Sequence, residues 1–232
     1  MRIPGAQRTC AREQPIHRHA IDESGAALII ALLFLALIAA VAAALIVTTT
    51  TETLISGSQR ATQEVFYAAD AGLERALAAL EPMTDWSSVL AEAPGNVVAP
   101  FSDAQTRVTA PDGRTLDLAT LTGSRQVASD TTDGPSAYGA DSPRWQLFAH
   151  AGLRDLVPAD VVTPPAYLLV WVADDGEDGD SDAHHDSNGI VLIYSEAYGI
   201  AGARRAVEAT VARTPEGTLR VLSWEDVRGD VR

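Results

Sequence analysis

Seven carboxylates fall within the thirteen residues 174–186, and such density repels itself unless water or a cation intervenes. Ca2+ gathers six to eight oxygens, and loops that bind it supply carboxylates at alternate positions. Asp178, Asp180 and Asp182 have that spacing, with Asp186 and Asn188 close enough in sequence to complete a shell. Residues 174–189 are therefore a candidate Ca2+ loop. They depart from an EF-hand: Ala183 stands where the turn glycine belongs, and no glutamate closes a twelve-residue loop. A solvated acidic hairpin accounts for the same residues without any ligand. His184 and His185 bring imidazoles that suit a transition metal, but two adjacent histidines are not a ligand set. Elsewhere the chain offers little for catalysis. Ser56, Ser58 and His150 lack a nucleophile context such as Gly-x-Ser-x-Gly, and neither a phosphate loop nor zinc spacing is present. An exported hydrolase would need a constellation that these residues do not provide.

The acidic stretch lies between two runs that read as strands, 166–173 and 189–196. Residues 145–151, 205–213 and 218–224 are further short runs rich in β-branched or aromatic residues and divided by turn residues. Positions 205–211 alternate in polarity, so one face of that strand should be wet. Residues 167–172 are apolar throughout, as a strand covered on both faces would be. Trp145, Trp171 and Trp224 are expected in the sheet core. Residues 83–143 show weak periodicity and are rich in Ala, Pro, Ser, Thr, Gly and Asp. Within them Pro111-Asp112-Gly113 predicts the turn of a hairpin over 108–118, and 128–141 reads as an exposed loop.

Ahead of the sheet stands a different kind of element. Residues 26–47 carry no charge, and at about 1.5 Å per residue they make a helix of roughly 33 Å, enough to cross a bilayer core. No proline interrupts 52–80, where Leu54, Ser58, Thr62, Val65, Phe66, Ala69, Leu73, Ala76, Leu77 and Leu80 recur at three- and four-residue spacing. The spacing predicts one long helix, apolar first and two-faced after, whose stripe needs either the chain's own sheet or other helices. Phe66 and Tyr67 fit a subunit contact and packing on that sheet equally well. The fold class is thus α+β, a long N-terminal helix followed by an antiparallel sheet. A secretory signal peptide has a shorter apolar stretch, although Ala42 and Ala44 mimic a cleavage site. A plain single-pass anchor is the simplest alternative.

Charge and cysteine content narrow the field. The net charge is −14, and residues 1–25 hold four arginines against three carboxylates, which leaves −15 for the remainder. So acidic a surface argues against nucleic acid, whose binding rests on cations at phosphates. Arg2, Arg8, Arg12 and Arg18 precede the apolar run, and positive charge tends to stay inside, so everything after Val47 should lie outside the cytoplasm. The one cysteine, Cys10, lies in the leader, so the exported part cannot be stapled by disulfides.

Ser24-Gly25 followed by 26–32 (Ala-Ala-Leu-Ile-Ile-Ala-Leu) resembles the class III leader junction of type IV pilin-like proteins. The segment 65–74, Val-Phe-Tyr-Ala-Ala-Asp-Ala-Gly-Leu-Glu, is similar to one found in PilX-type minor pilins, and 220–227 resembles the end of that family. The resemblance covers about 22–80 strongly and 166–227 weakly. It implies a type IV pilin-like fold divided into a leader 1–25, a transmembrane half-helix 26–47, an amphipathic half 48–81, a variable loop-rich region 82–144 and a sheet domain 145–232. It also implies that a prepilin peptidase cuts between Gly25 and Ala26 and methylates Ala26. Leu28, Ile30, Phe34, Leu54, Val65, Phe66 and Leu73 would then serve the membrane and filament helix. The implied partners are other minor pilins, the major pilin and the inner-membrane assembly platform. The subunit would sit in the inner membrane and pass to the pilus tip or filament. Ordinary pilins carry glutamate at the fifth mature position, where this chain has Ile30. PilX-like and K-type minor pseudopilins share that departure, which points to initiation, priming or tip capping. It also keeps open a type II secretion pseudopilin or an anchored calcium-binding or adhesive module.

Overall fold

The computed structural model describes residues 24–91, 105–134 and 137–227. Its helix α1 is Ser24–Leu80, followed by the short α2 (Ser87–Leu90), the strands β1 (Arg107–Thr109) and β2 (Thr115–Asp117), and α3 (Leu118–Asp133). Five strands complete the chain: β3 (Gln146–Gly152), β4 (Tyr167–Asp174), β5 (Ile190–Tyr198), β6 (Arg204–Arg213) and β7 (Leu219–Val227). The chain divides into two compact units, one up to Thr53 and one from Leu54. The α+β class with a long N-terminal helix and an antiparallel sheet is confirmed.

In the first unit, the helix is apolar and bare. From Leu28 to Val47 its large apolar side chains are 51–67 % exposed. It is long and apolar enough to cross a membrane. At its end, Thr48, Thr49, Thr50, Thr51 and Thr53 each donate a hydroxyl to the carbonyl four residues earlier, at 2.8–3.0 Å. These hydroxyls need no water, because the helix backbone satisfies them.

In the second unit, β3 to β7 form one antiparallel sheet in sequential order. Side chains alternate between faces along a strand, and both faces are covered. On one face Leu168, Val170 and Val172 of β4 meet Val65, Ala69, Leu73, Ala76 and Leu80 of α1, together with Trp86 and Leu90. On the other, Tyr167, Leu169, Trp171 and Ala173 meet Val108, Leu116 and Leu118 from the hairpin and the start of α3. All eight residues of β4 are consequently buried. On β6, Val207, Ala209 and Val211 are buried while Glu208, Thr210 and Ala212 are half-exposed.

Helix and sheet approach closely because the helix is lined with small residues. Ala68, Ala69, Gly72 and Ala76 are all buried. The Ser195 hydroxyl donates to the Ala69 carbonyl at 2.7 Å, and a Cβ at Gly72 would lie 2.5 Å from the Ser195 hydroxyl oxygen. The Ala-Ala-Asp-Ala-Gly part of the 65–74 segment is thus a seat for β5. Burial begins at Ala61, not at Leu54, which is 70 % exposed.

The hairpin turns at Gly113, where φ is +87°, and Asp112 caps the turn by accepting from the Arg114 backbone N–H at 3.0 Å. Residues 118–133, part of which reads as loop in the sequence, are helical instead. Asp117 caps α3 by accepting from the Thr120 N–H at 3.0 Å. Past Leu118 and Leu121, which pack on the sheet at its start, the helix is fastened by polar contacts. Arg125 lies 4.2 Å over the Trp145 ring and 4.0 Å over the Tyr194 ring, and donates to Glu208 at 2.7 Å. Gln126 accepts from the Trp145 N–H and donates to the Pro143 carbonyl, while the Trp171 indole donates to Thr122. Trp145 and Trp171 are core residues, as expected. Trp224 is not: on the edge strand β7 it is 45 % exposed and packs edge-on against Phe66 of α1, ring centroids 6.1 Å apart.

Candidate functional site

Two surfaces carry the residues that the sequence singles out. The first is the opening stretch of α1. Gly25 and Ala26 are helical and exposed, and a Cβ at Gly25 would meet nothing within 4 Å. Packing therefore does not demand a glycine there. Leu28, Ile30 and Phe34 are exposed apolar side chains, and Leu54 continues that character in the second unit. Val65 and Leu73 differ: both are buried in the chain's own core. Phe66 is partly buried, stacked edge-on with Trp224 and with Tyr67, and Tyr67 is 68 % exposed. The leader residues Arg2, Arg8, Cys10, Arg12 and Arg18 lie outside the described residues.

The second surface is the loop between β4 and β5. The five candidate ligands do not converge as their spacing suggests. Asp180 receives the His185 ring at 2.6 Å and the Asp182 N–H at 2.8 Å, contacts that hold its carboxyl below the usual range and raise the imidazole above its own. Asp182 accepts from the His184 N–H at 3.1 Å. Asn188 bridges Asp175 and the Ile190 N–H, each contact within 2.8 Å. What comes together instead is Asp174, Asp178 and Asp186, one carboxylate oxygen from each lying within 4.8 Å of the others. Asp178 accepts from the Ser187 backbone N–H at 2.8 Å and from its hydroxyl. Asp186 accepts from the Gly189 N–H at 2.7 Å, while its own N–H reaches Ser87 of α2.

Asp174 is the unusual member. It ends β4 two residues after Val172 and so shares the face of β4 that packs against α1 and α2. It is 0 % exposed, and among the described residues neither carboxylate oxygen has a hydrogen-bond partner of good geometry. Burial, and then the neighbouring charges of Asp178, Asp175 and Asp186, push its carboxyl up to about 8. Burial likewise raises Asp186. Two unit charges about 5 Å apart repel by about 3 kcal/mol at an effective dielectric of about 20, so the arrangement is costly without a counter-charge. In the sequence Asp174 is simply the first carboxylate of the acidic run, one residue past the stretch 166–173 that reads as a strand; its burial at the end of β4 is what sets it apart.

Comparison with known proteins bears on the first surface. Residues 24–74 match the family model described as PilX N-terminal. No curated protein and no solved structure matches the chain. The matched family is one of structural pilins rather than enzymes. Its span takes in Gly25, the bare apolar helix and the small-residue seat up to Glu74. Over residues 24–74 the chain is therefore similar to the PilX N-terminal family, a match consistent with a PilX-type pilin.

Proposed function

We propose that the chain is a minor pilin that takes part in initiating, priming or capping a type IV pilus filament. The observation that carries this reading is the apolar half of α1. A helix exposed along its whole apolar length is a surface waiting for lipid or for other helices. Gly25 supports a processing step, because the fold itself gives no reason for a glycine at that exposed position. A prepilin peptidase cuts before Ala26, and the helix then holds the subunit in the inner membrane with residues beyond Val47 outside the cytoplasm. On extraction, the Leu28, Ile30, Phe34 and Leu54 surface exchanges lipid for the helices of other minor pilins and the major pilin.

Ile30 supports a place at the tip or in the priming complex. A carboxylate inside lipid is costly unless another group meets it, and a subunit with no neighbour above it gains nothing from one. Val65 and Leu73 act differently from Ile30, as anchors of the sheet on the helix.

Gold-labelled antibody on sheared filaments tests the position. Label at filament ends, together with a fall in filament number when the gene is deleted, is the expected result. Label spaced along the filament length, or unchanged filament numbers, would count against a tip or priming role.

A further inference from the structure

We propose that Asp174, Asp178 and Asp186 form a binding site for a single divalent cation, Ca2+ by its chemistry, that closes the β4–β5 loop. The acidic density of the loop does not by itself make this case. Asp174 does: a fully buried carboxylate with neither oxygen well paired among the described residues, clustered with two further carboxylates within 4.8 Å, is a donor set without an acceptor. Buried polar groups are almost always satisfied, and a buried carboxylate facing like charges is satisfied best by a cation.

Ligand type selects the ion. All three donors are carboxylate oxygens, which suit hard cations, whereas Zn2+ prefers nitrogen and sulfur. The nearby imidazoles are turned elsewhere, His185 to Asp180 and His184 towards Asp182 at 3.7 Å. Three side chains hinged on a loop do not enforce the tight octahedron of Mg2+, while Ca2+ accepts irregular shells completed by water. Ser187 and Gly189 already orient two of the carboxylates, and Asp186 is tied through its N–H to Ser87. A bound ion would therefore fasten the β4 end, both arms of the loop and α2 to one point. The proposal is independent of the pilin reading, since it rests on residues outside the matched segment.

The test uses the full chain in detergent, stripped with a chelator and kept at about 0.15 M NaCl so that loose counter-ions are screened. Calorimetric titration with CaCl2 is expected to show one ion per chain, with a dissociation constant of about 10⁻⁴–10⁻³ M as in extracellular modules. The melting temperature is expected to rise by about 3–6 °C at ten times that concentration. Asp174→Asn is isosteric and neutral, so it should fold with an unchanged or higher melting temperature and lose the Ca2+ response. Asp180→Asn lies outside the cluster and should keep it. Absence of heat and of any shift in the parent chain would overturn the site, as would equal loss of response in Asp174→Asn and Asp180→Asn. A Zn2+ response abolished by His184→Ala, with none to Ca2+, would overturn it too.

Discussion

Replacing Trp86 by alanine is expected to cost about 3–5 kcal/mol, the usual range for removing a large aromatic from a packed core. Trp86 is fully buried although it lies between two helices in a segment without long secondary structure. Its indole N–H donates at 3.1 Å to the Leu80 carbonyl at the end of α1, which also accepts from the Met83 backbone N–H at 3.2 Å. Its ring packs with Leu80, Leu90 and the sheet, and the Arg213 guanidinium lies 4.4 Å over its face. The one side chain therefore ends the helix, fills the core and ties α1 to β6. Trp86→Phe keeps most of the buried area but loses the hydrogen bond, so a smaller loss of about 1 kcal/mol is expected. Denaturant unfolding followed by tryptophan and backbone signals would check both. An alanine variant as stable as the parent would show that Trp86 is not part of this core.

The second large effect concerns the seat of the helix on the sheet. Gly72→Val is expected to destabilise by about 2–3 kcal/mol, because the new side chain overpacks a closed contact. Its Cβ would stand 2.5 Å from the Ser195 hydroxyl oxygen, 3.6 Å from Val170 and 3.7 Å from Leu168. Accommodating it pushes the helix off β5 and stretches the Ser195–Ala69 hydrogen bond. Adding Ser195→Ala removes the nearest clash, so the double variant should cost less than the sum of the two single changes. Gly57→Ala is the matching control. It stands on the same helix with nothing within 4 Å of its Cβ, and alanine there should be neutral or stabilise by up to about 1 kcal/mol. Equal melting behaviour of Gly57→Ala and Gly72→Val would contradict the close-seat account.

Elements with strong periodicity were legible in the amino-acid sequence. The apolar run and the three- and four-residue spacing after it mark α1, and the five β-branched runs fall on β3 to β7 within a residue or three at each end. The uniform apolarity of β4 correctly implies cover on both faces. What escaped did so for physical reasons. Helix α3 has few apolar residues, and it holds to the sheet through Arg125, Gln126 and Thr122, whose partners lie far along the chain. Trp224 belongs to a strand that is hydrophobic enough for a core, but its place at the sheet edge is a property of strand order that composition does not reveal. Alternate spacing in the acidic loop predicts Asp180 and Asp182 as ligands, yet turns through Gly179 and Ser181, with φ of +74° and +68°, break that alternation and direct both towards histidines. Asp174 became distinct only through its burial, which depends on α1 and α2 packing over the sheet.

Processing at Gly25 is the claim on which the proposed function depends, and the mature N-terminus tests it most directly. Co-expression of the full chain with a prepilin peptidase, followed by intact mass and N-terminal fragment analysis, reads the answer in one step. The account expects a chain that begins at N-methylated Ala26, with the preceding residues removed. A chain that still begins at Met1, or one cut after Ala44 within the apolar run, would contradict it.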